Sequence, residues 1–119
     1  MPARVVVVHD DQQFIRATVT ALEAAGYDVS SFTDTMSALD ALQDAQRFDV
    51  LVTRVRFGPG QPNGVALARM AKLQRPTIRI LFAALPDTQE FTEGLGDFLA
   101  APVDPDDLVR AVTAALSPG

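Results

Sequence analysis

The strongest constraint on the fold is the run at residues 5–8, where four consecutive positions are valine. A strand with one solvated face alternates apolar and polar residues, so an unbroken β-branched run predicts a strand buried on both faces. Such burial is typical of parallel sheets, which carry helices on both sides. Parallel neighbours are joined by crossover connections that usually contain a helix. The rest of the chain should therefore alternate between strands and helices.

The remaining sequence has this alternation. Short apolar runs predict four further strands, at residues 27–32, 48–53, 78–83 and 97–100. Apolar residues at helical spacing predict helices between and after the strands, at residues 12–25, after the N-capping Asp34, and at residues 64–74, 87–93 and 104–116. The pattern predicts an α/β fold: a five-stranded parallel sheet with right-handed crossovers and flanking helices.

Composition limits the class of protein. The length of 119 residues fits one domain, which we expect to span residues 1–119. With no cysteine, the chain forms no disulfide and no thiolate zinc site. Lys and Arg number 10 and Asp and Glu 15, so the net charge of −5 disfavours nucleic-acid and membrane-surface partners. No apolar stretch approaches the roughly 20 residues of a membrane helix, and we expect a cytoplasmic protein.

In an open parallel sheet, ligands bind at the carboxyl ends of the strands. His9, Asp10 and Asp11 follow the first predicted strand. Two adjacent carboxylates are costly unless a cation or hydrogen-bond donors hold them, so the pair indicates a divalent-cation or phosphoryl site. The alternative is a solvated pair that begins a helix and favours its dipole. His9 as a metal ligand is a weaker interpretation, since a lone histidine at a strand end is more often hydrogen-bonded or solvated.

Three segments carry a family resemblance: VVVVHDDQQ near the start, FDVLVT at the third strand, and DFLAAPVDPDDLVRAV near the end. In order and spacing, over residues 5–116, they resemble the receiver domain of bacterial two-component response regulators. The resemblance implies a flavodoxin-like fold in which an aspartate after the third strand accepts a phosphoryl group from a histidine kinase. It also implies Mg²⁺-binding acids after the first strand, a Ser or Thr after the fourth, and an aromatic residue and a Lys at the fifth.

The matching positions depart from this pattern at several points. The first acid position is His9 and the second is Asp10, with Asp11 as the common extra acid. The phosphoacceptor position, directly after FDVLVT, is Arg54. The loop that follows Arg54 is two residues longer than usual, and the fourth helix is shorter by about one turn.

The remaining family positions lie at the fourth and fifth strands. The hydroxyl position is Ala83, and the lysine position is Ala101, before Pro102. The resemblance implies a cis Ala101–Pro102 bond. Phe98 retains the position of the switch aromatic, although it also suits a core residue.

These substitutions predict a degenerate phosphorylation site. A guanidinium is not phosphorylated as a carboxylate is, and neither alanine side chain donates a hydrogen bond. Arg54 is placed to reach Asp10 or Asp11 as a fork that replaces both the metal and the lysine. Such a pair attracts by about 4 kcal/mol at an effective dielectric of 20, and desolvation removes much of this gain. We expect no bound metal, with Asp10 and Asp11 as residual acids, and no cofactor.

The sequence favours a pseudo-receiver that binds other signalling proteins, a kinase or a regulator, without phosphorylation. Because the fourth helix is shortened, we expect family-type dimerisation to be altered or absent. The alternative function is a small-molecule or anion-binding flavodoxin-like regulatory domain that uses Arg54 or Arg56. An enzyme with an Asp nucleophile would need a second acid two residues after Asp10 and a nearby lysine. The chain has Gln12 there, and its one lysine, Lys72, lies on the third predicted helix; we therefore expect no enzyme.

Overall fold

The computed structural model describes residues 2–44 and 47–117. Its strands are all parallel and form one sheet in the order β2-β1-β3-β4-β5. They are β1 (Arg4–Val8), β2 (Asp28–Phe32), β3 (Val50–Thr53), β4 (Arg79–Ala84) and β5 (Asp97–Ala100). The predicted α/β fold is confirmed. The ends of the predicted 1–119 domain, Met1, Pro118 and Gly119, lie outside the described residues.

Helical segments follow every strand. They are α1 (Gln12–Ala24), α2 (Thr35–Asp44), α3 (Gly64–Gln74), a seven-residue 3₁₀ helix (Pro86–Thr92) and α4 (Pro105–Leu116). Side-chain caps explain where three of the α-helices begin. Asp11, Asn63 and Asp104 each accept a hydrogen bond from a backbone N–H in the first turn of α1, α3 and α4, respectively. The fourth helix, which the sequence predicts to be about one turn shorter than usual, is this 3₁₀ helix between β4 and β5.

The valine run is buried on both faces, as its composition predicts, because helices pack on both sides of β1, which is an inner strand between β2 and β3. Val6 and Val8 belong to one apolar cluster with Phe82. Val5 and Val7 belong to a second cluster, which includes Leu22 of α1 and Leu108 of α4. Each helix layer therefore covers its own core, and the helix ends surround the carboxyl edge of the sheet.

Two predicted details are wrong. The apolar spacing in the helix predicted at residues 64–74 places Val65, Ala68 and Leu73 inward, but Leu73 is 83% exposed. The inward positions of α3 include Ala68 and Ala71, and Leu73 lies about 200° around the helix from Ala71. The boundary of β3 also differs, since the strand begins at Val50 and not at residue 48. Phe48 is buried, but pairing of β3 with β1 starts only at Val50.

The parallel register brings the ends of the strands to one edge. Val8 pairs with Thr53, and Thr53 pairs with Phe82. The residues after β1 and β3 are therefore neighbours at the carboxyl edge of the sheet. In the part of the chain that the structure describes, no helix is long and apolar enough to cross a membrane.

Candidate functional site

His9 is fixed at the end of β1 by its backbone and its ring. Its N–H donates to the Phe32 carbonyl oxygen at 3.1 Å, and its side chain is only 13% exposed. The ring stacks on Phe14 with 4.2 Å between centroids and 25° between planes. Nδ1 accepts a hydrogen bond from the Asp11 backbone N–H at 3.0 Å, so the proton of the neutral ring is on Nε2.

Electrostatics agree with a neutral imidazole. Burial, and then the Arg54 guanidinium, lower the pKa of His9, while Asp10 and Asp11 raise it by less. Asp10 Oδ1 lies 3.7 Å from Nδ1, beyond hydrogen-bond distance. His9 is therefore a hydrogen-bonded residue that links β1 to the start of α1.

Asp11 is committed to helix α1. Its Oδ1 accepts from the backbone N–H groups of Gln13 at 2.9 Å and Phe14 at 3.3 Å. Its negative charge also lies at the helix N-terminus, where the dipole favours it. The structure thus gives Asp11 the capping geometry that was the alternative interpretation of the acidic pair.

Arg54 directly follows β3, and its N–H points at the Val8 carbonyl oxygen at 3.3 Å. Its Nη1 donates to Asp10 Oδ1, so an ion pair joins the ends of β1 and β3. The Arg54 side chain is 22% exposed and Asp10 is 46% exposed. The contact uses one nitrogen and not a two-bond fork, and Arg54 Nε is buried without an acceptor among the described residues.

The ends of β4 and β5 carry no polar side chain at the two predicted positions. Ala83 is buried, and Ala101 is partly exposed. The N–H of Ala101 donates to the Ala84 carbonyl oxygen at 2.8 Å, and the Ala101–Pro102 bond is cis, as predicted. Phe98 is partly buried and packs against the core cluster of Val6 and Val8.

Comparison with known proteins settles the family. The family model described as the response regulator receiver domain matches residues 5–113. The chain belongs to this family. It is thus a receiver domain of two-component signalling, and the parallel sheet and its carboxyl-edge site are the features that the family resemblance implies.

Individual relatives support the assignment. The domain is 35% identical over 79 residues to the response regulator receiver protein CpdR of Brucella abortus, covering 66% of this chain and 63% of CpdR. It is 27% identical over 119 residues to the nisin biosynthesis regulatory protein NisR of Lactococcus lactis, covering 96% of this chain and 50% of NisR. The chain thus spans less than two thirds of either relative's length.

Solved structures with a similar fold include a chemotaxis protein. The structure of the chemotaxis protein CheY4 of Vibrio cholerae superposes with a TM-score of 0.85 at 24% identity, covering 98% of this chain and all of that chain. At this identity the likeness shows the fold.

Mg²⁺ is the ion that the family implies, and the side chains of this receiver domain do not fit it. Mg²⁺ requires several oxygen ligands in octahedral geometry. Asp10 is paired with a guanidinium, and Asp11 caps a helix. Within residues 2–44 and 47–117, no three His, Asp or Glu side chains form a group that could hold a metal.

An ion pair near the start of the long β3–α3 loop and hydrogen bonds near its end hold the loop against the rest of the receiver domain. Arg56 lies 3.4 Å from an Asp87 carboxylate oxygen, and Thr35 donates to the Pro62 carbonyl oxygen at 2.8 Å. Gln61 accepts from the Thr35 N–H at 3.2 Å. Because Arg54 and Arg56 both have carboxylate partners, the loop does not present two free guanidinium groups to an anion.

Sequence reasoning missed two features of the site. The spacing of apolar residues in the helix predicted at residues 12–25 indicates only that Phe14 faces the core, although its ring also stacks on the His9 imidazole. It also missed a cavity beside His9, lined by both alanines. The small residues at positions 83 and 101 were the available signal, since an alanine side chain leaves space where a longer one would fill it.

Proposed function

We propose that this receiver domain is a pseudo-receiver, a phosphorylation-independent protein-interaction module. The observation that carries the proposal is the Arg54–Asp10 ion pair. By family resemblance, position 54 is that of the phosphoacceptor, and here a permanent cation occupies it. The cation is bonded to one of the two acids that would otherwise help to hold Mg²⁺.

The neighbouring positions support the same proposal. Stabilising a transferred phosphoryl group requires cations or hydrogen-bond donors aimed at its oxygens. The side chains of Ala83 and Ala101 supply neither. The domain accordingly acts as a non-catalytic module with one fixed arrangement at the strand ends, held by the ion pair between β1 and β3.

The proposed partners are other signalling proteins, either a kinase or a regulator. A surface that does not depend on phosphorylation is available to a partner at all times, so control would lie in the partner or in protein abundance. We further propose that the domain acts in the cytoplasm, needs no cofactor, and does not form the family-type dimer.

Incubation with acetyl phosphate and Mg²⁺, followed by intact-mass measurement, tests the function. The expected result is no phosphoryl adduct on the unmodified chain. R54D alone should also give none, because position 101 still lacks a lysine. The variant H9D/R54D/A83T/A101K restores the side-chain types at all four positions that depart from the family pattern and is the positive control. A stoichiometric adduct on the unmodified chain would overturn the proposal.

A further inference from the structure

A cavity of about 490 Å³ opens beside His9 at the carboxyl edge of the sheet. It lies between the first turns of α1, the end of β4 and the β5–α4 connection. The lining is mainly apolar, and its main apolar members are Phe14, Ala17, Ala83, Ala101, Pro102 and Val103. Its volume is within the range of small-molecule sites, roughly 300–1,000 Å³.

The cavity exists because two strand ends carry alanine. Ala83 and Ala101 both line it, and neither side chain extends beyond Cβ. Around them, Phe14 and Val103 provide apolar surface, and Phe14 is fixed by its stack with His9. The walls come from secondary-structure elements and their immediate ends, so the cavity is preformed.

The His9 ring gives the cavity a hydrogen-bond donor that can orient a ligand. His9 lines it, and Nδ1 is occupied by the Asp11 N–H, which leaves the Nε2–H as the ring's available donor. Among the described residues, the His9 ring makes its hydrogen bond through Nδ1 and makes none through Nε2. Asp11 also belongs to the lining, and Asp10 is its neighbour in the sequence. An anionic ligand would meet these negative charges, so the cavity disfavours anions.

We propose that this cavity binds an uncharged, planar aromatic molecule that carries a hydrogen-bond acceptor. The ring lies against the apolar wall formed by Phe14, Ala83 and Ala101, and its acceptor receives the Nε2–H of His9. This site differs from an anion receptor built on Arg54 or Arg56, because neither arginine lines it. It is also independent of whether position 54 accepts a phosphoryl group.

The test is a titration with quinoline, followed by the backbone amide signals of the ¹⁵N-labelled chain. Quinoline is planar and uncharged at neutral pH, and it has one ring nitrogen as acceptor. Saturable shifts are expected at Phe14, Ala83, Ala101 and Val103. A101L should weaken binding at least tenfold by filling the cavity. A114L makes the same change at an exposed position of α4 outside the lining and should bind like the unmodified chain.

Naphthalene tests the acceptor, since it has nearly the same shape and no ring nitrogen. It should bind about fivefold more weakly than quinoline, the size of effect that one net hydrogen bond gives. H9F keeps a flat ring but has no Nε2–H, so it should remove the preference for quinoline. Amide signal dispersion shows whether each variant is folded.

Three results would overturn the proposal. Quinoline shifts that do not saturate below its aqueous solubility limit would mean that there is no site. Shifts that cluster away from the cavity lining would place binding elsewhere, and this measurement needs no variant. Equal affinity of folded A101L and A114L would show that the cavity is not the binding surface.

Discussion

At the scale of single residues, the charge at position 54 determines what the strand ends can hold. Arg54 bonds to Asp10 and holds a fixed positive charge between the ends of β1 and β3, where we propose that it takes the place of a metal ion. R54D would instead bring three carboxylates together, and Mg²⁺ would relieve their repulsion. We expect Mg²⁺ at about ten times its dissociation constant to stabilise R54D by roughly 1.4 kcal/mol, or several degrees in melting temperature. The unmodified chain should not respond.

R54M provides the matched control for this measurement. It removes the guanidinium without adding an acid, so its melting temperature should be insensitive to Mg²⁺. Thermal unfolding of the three proteins, with and without the ion, separates loss of the cation from gain of a ligand. A rise of several degrees in the unmodified chain would refute the metal-independent arrangement.

His9 should make stability depend on pH. Burial and the Arg54 charge lower its pKa in the folded state, while the unfolded value is 6.5. Below 6.5 the unfolded chain therefore binds more protons at this residue, and the free energy of unfolding falls as the pH falls. The slope from one proton is at most about 1.4 kcal/mol per pH unit. The contribution is complete at higher pH, above the unfolded pKa.

H9N isolates this contribution, because an asparagine amide oxygen can accept the Asp11 N–H bond and does not titrate. Urea unfolding from neutral to mildly acidic pH should show a flatter profile for H9N than for the unmodified chain. Identical profiles would contradict the neutral His9 assigned from its hydrogen bond.

The sequence predicts the site at the level of positions but not of side-chain geometry. Strand-end placement and the Arg54–Asp10 pair follow from topology and opposite charge. The His9–Phe14 stack and the single-nitrogen contact of Arg54 depend on rotamers, which packing selects in three dimensions. No periodicity in a sequence encodes that choice.

At the scale of elements, the β3–α3 connection depends on Gly64. A Cβ at this position would lie 1.8 Å from the Arg54 carbonyl oxygen, and the Gly64 N–H donates to Val55 at 2.7 Å. G64A should therefore displace the backbone that carries Arg54, at a cost of about 1–3 kcal/mol as in other overpacked sites. G58A is the control, since its Cβ would meet nothing closer than 3.8 Å. Urea midpoints measure both.

If G64A and G58A unfold at the same urea concentration, the close approach at α3 is not a constraint on this connection. The expected result is a lower midpoint for G64A with an unchanged slope, because the surface exposed on unfolding is the same.

Element types are more predictable than the surfaces they present. The start of α1 follows from Asp11, a capping residue with a local mechanism. The prediction that Leu73 faces inward is wrong, because α3 carries more apolar residues than its inward face holds. Ala68 and Ala71 lie on that face, and Leu73 is exposed. The segment between β4 and β5 is a 3₁₀ helix, in which buried Thr88 and Thr92 bond to local carbonyl oxygens.

At the scale of the whole molecule, exposed apolar surface is scattered. Within the described ranges, the exposed large hydrophobic side chains lie on different elements: Met36, Leu73, Leu85 and Phe91. A stable dimer buries about 800 Å² on each partner around an apolar centre. Only Leu85 and Phe91 are near each other in sequence, and exposed Glu90 and Glu93 flank the latter. The face that contains the 3₁₀ helix is therefore poorly suited to self-association.

We expect the chain to be a monomer at concentrations up to about 100 μM. A two-fold contact through this face would bring Glu90 and Glu93 close to their own copies, and its apolar centre would be only the two copies of Phe91, each 51% exposed. Size-exclusion chromatography with light scattering should give the mass of one chain. F91S, which removes the exposed ring, should leave that mass unchanged and alter stability by less than about 0.5 kcal/mol. A doubled mass that F91S returns to one chain would show that the 3₁₀ face dimerises despite its acids.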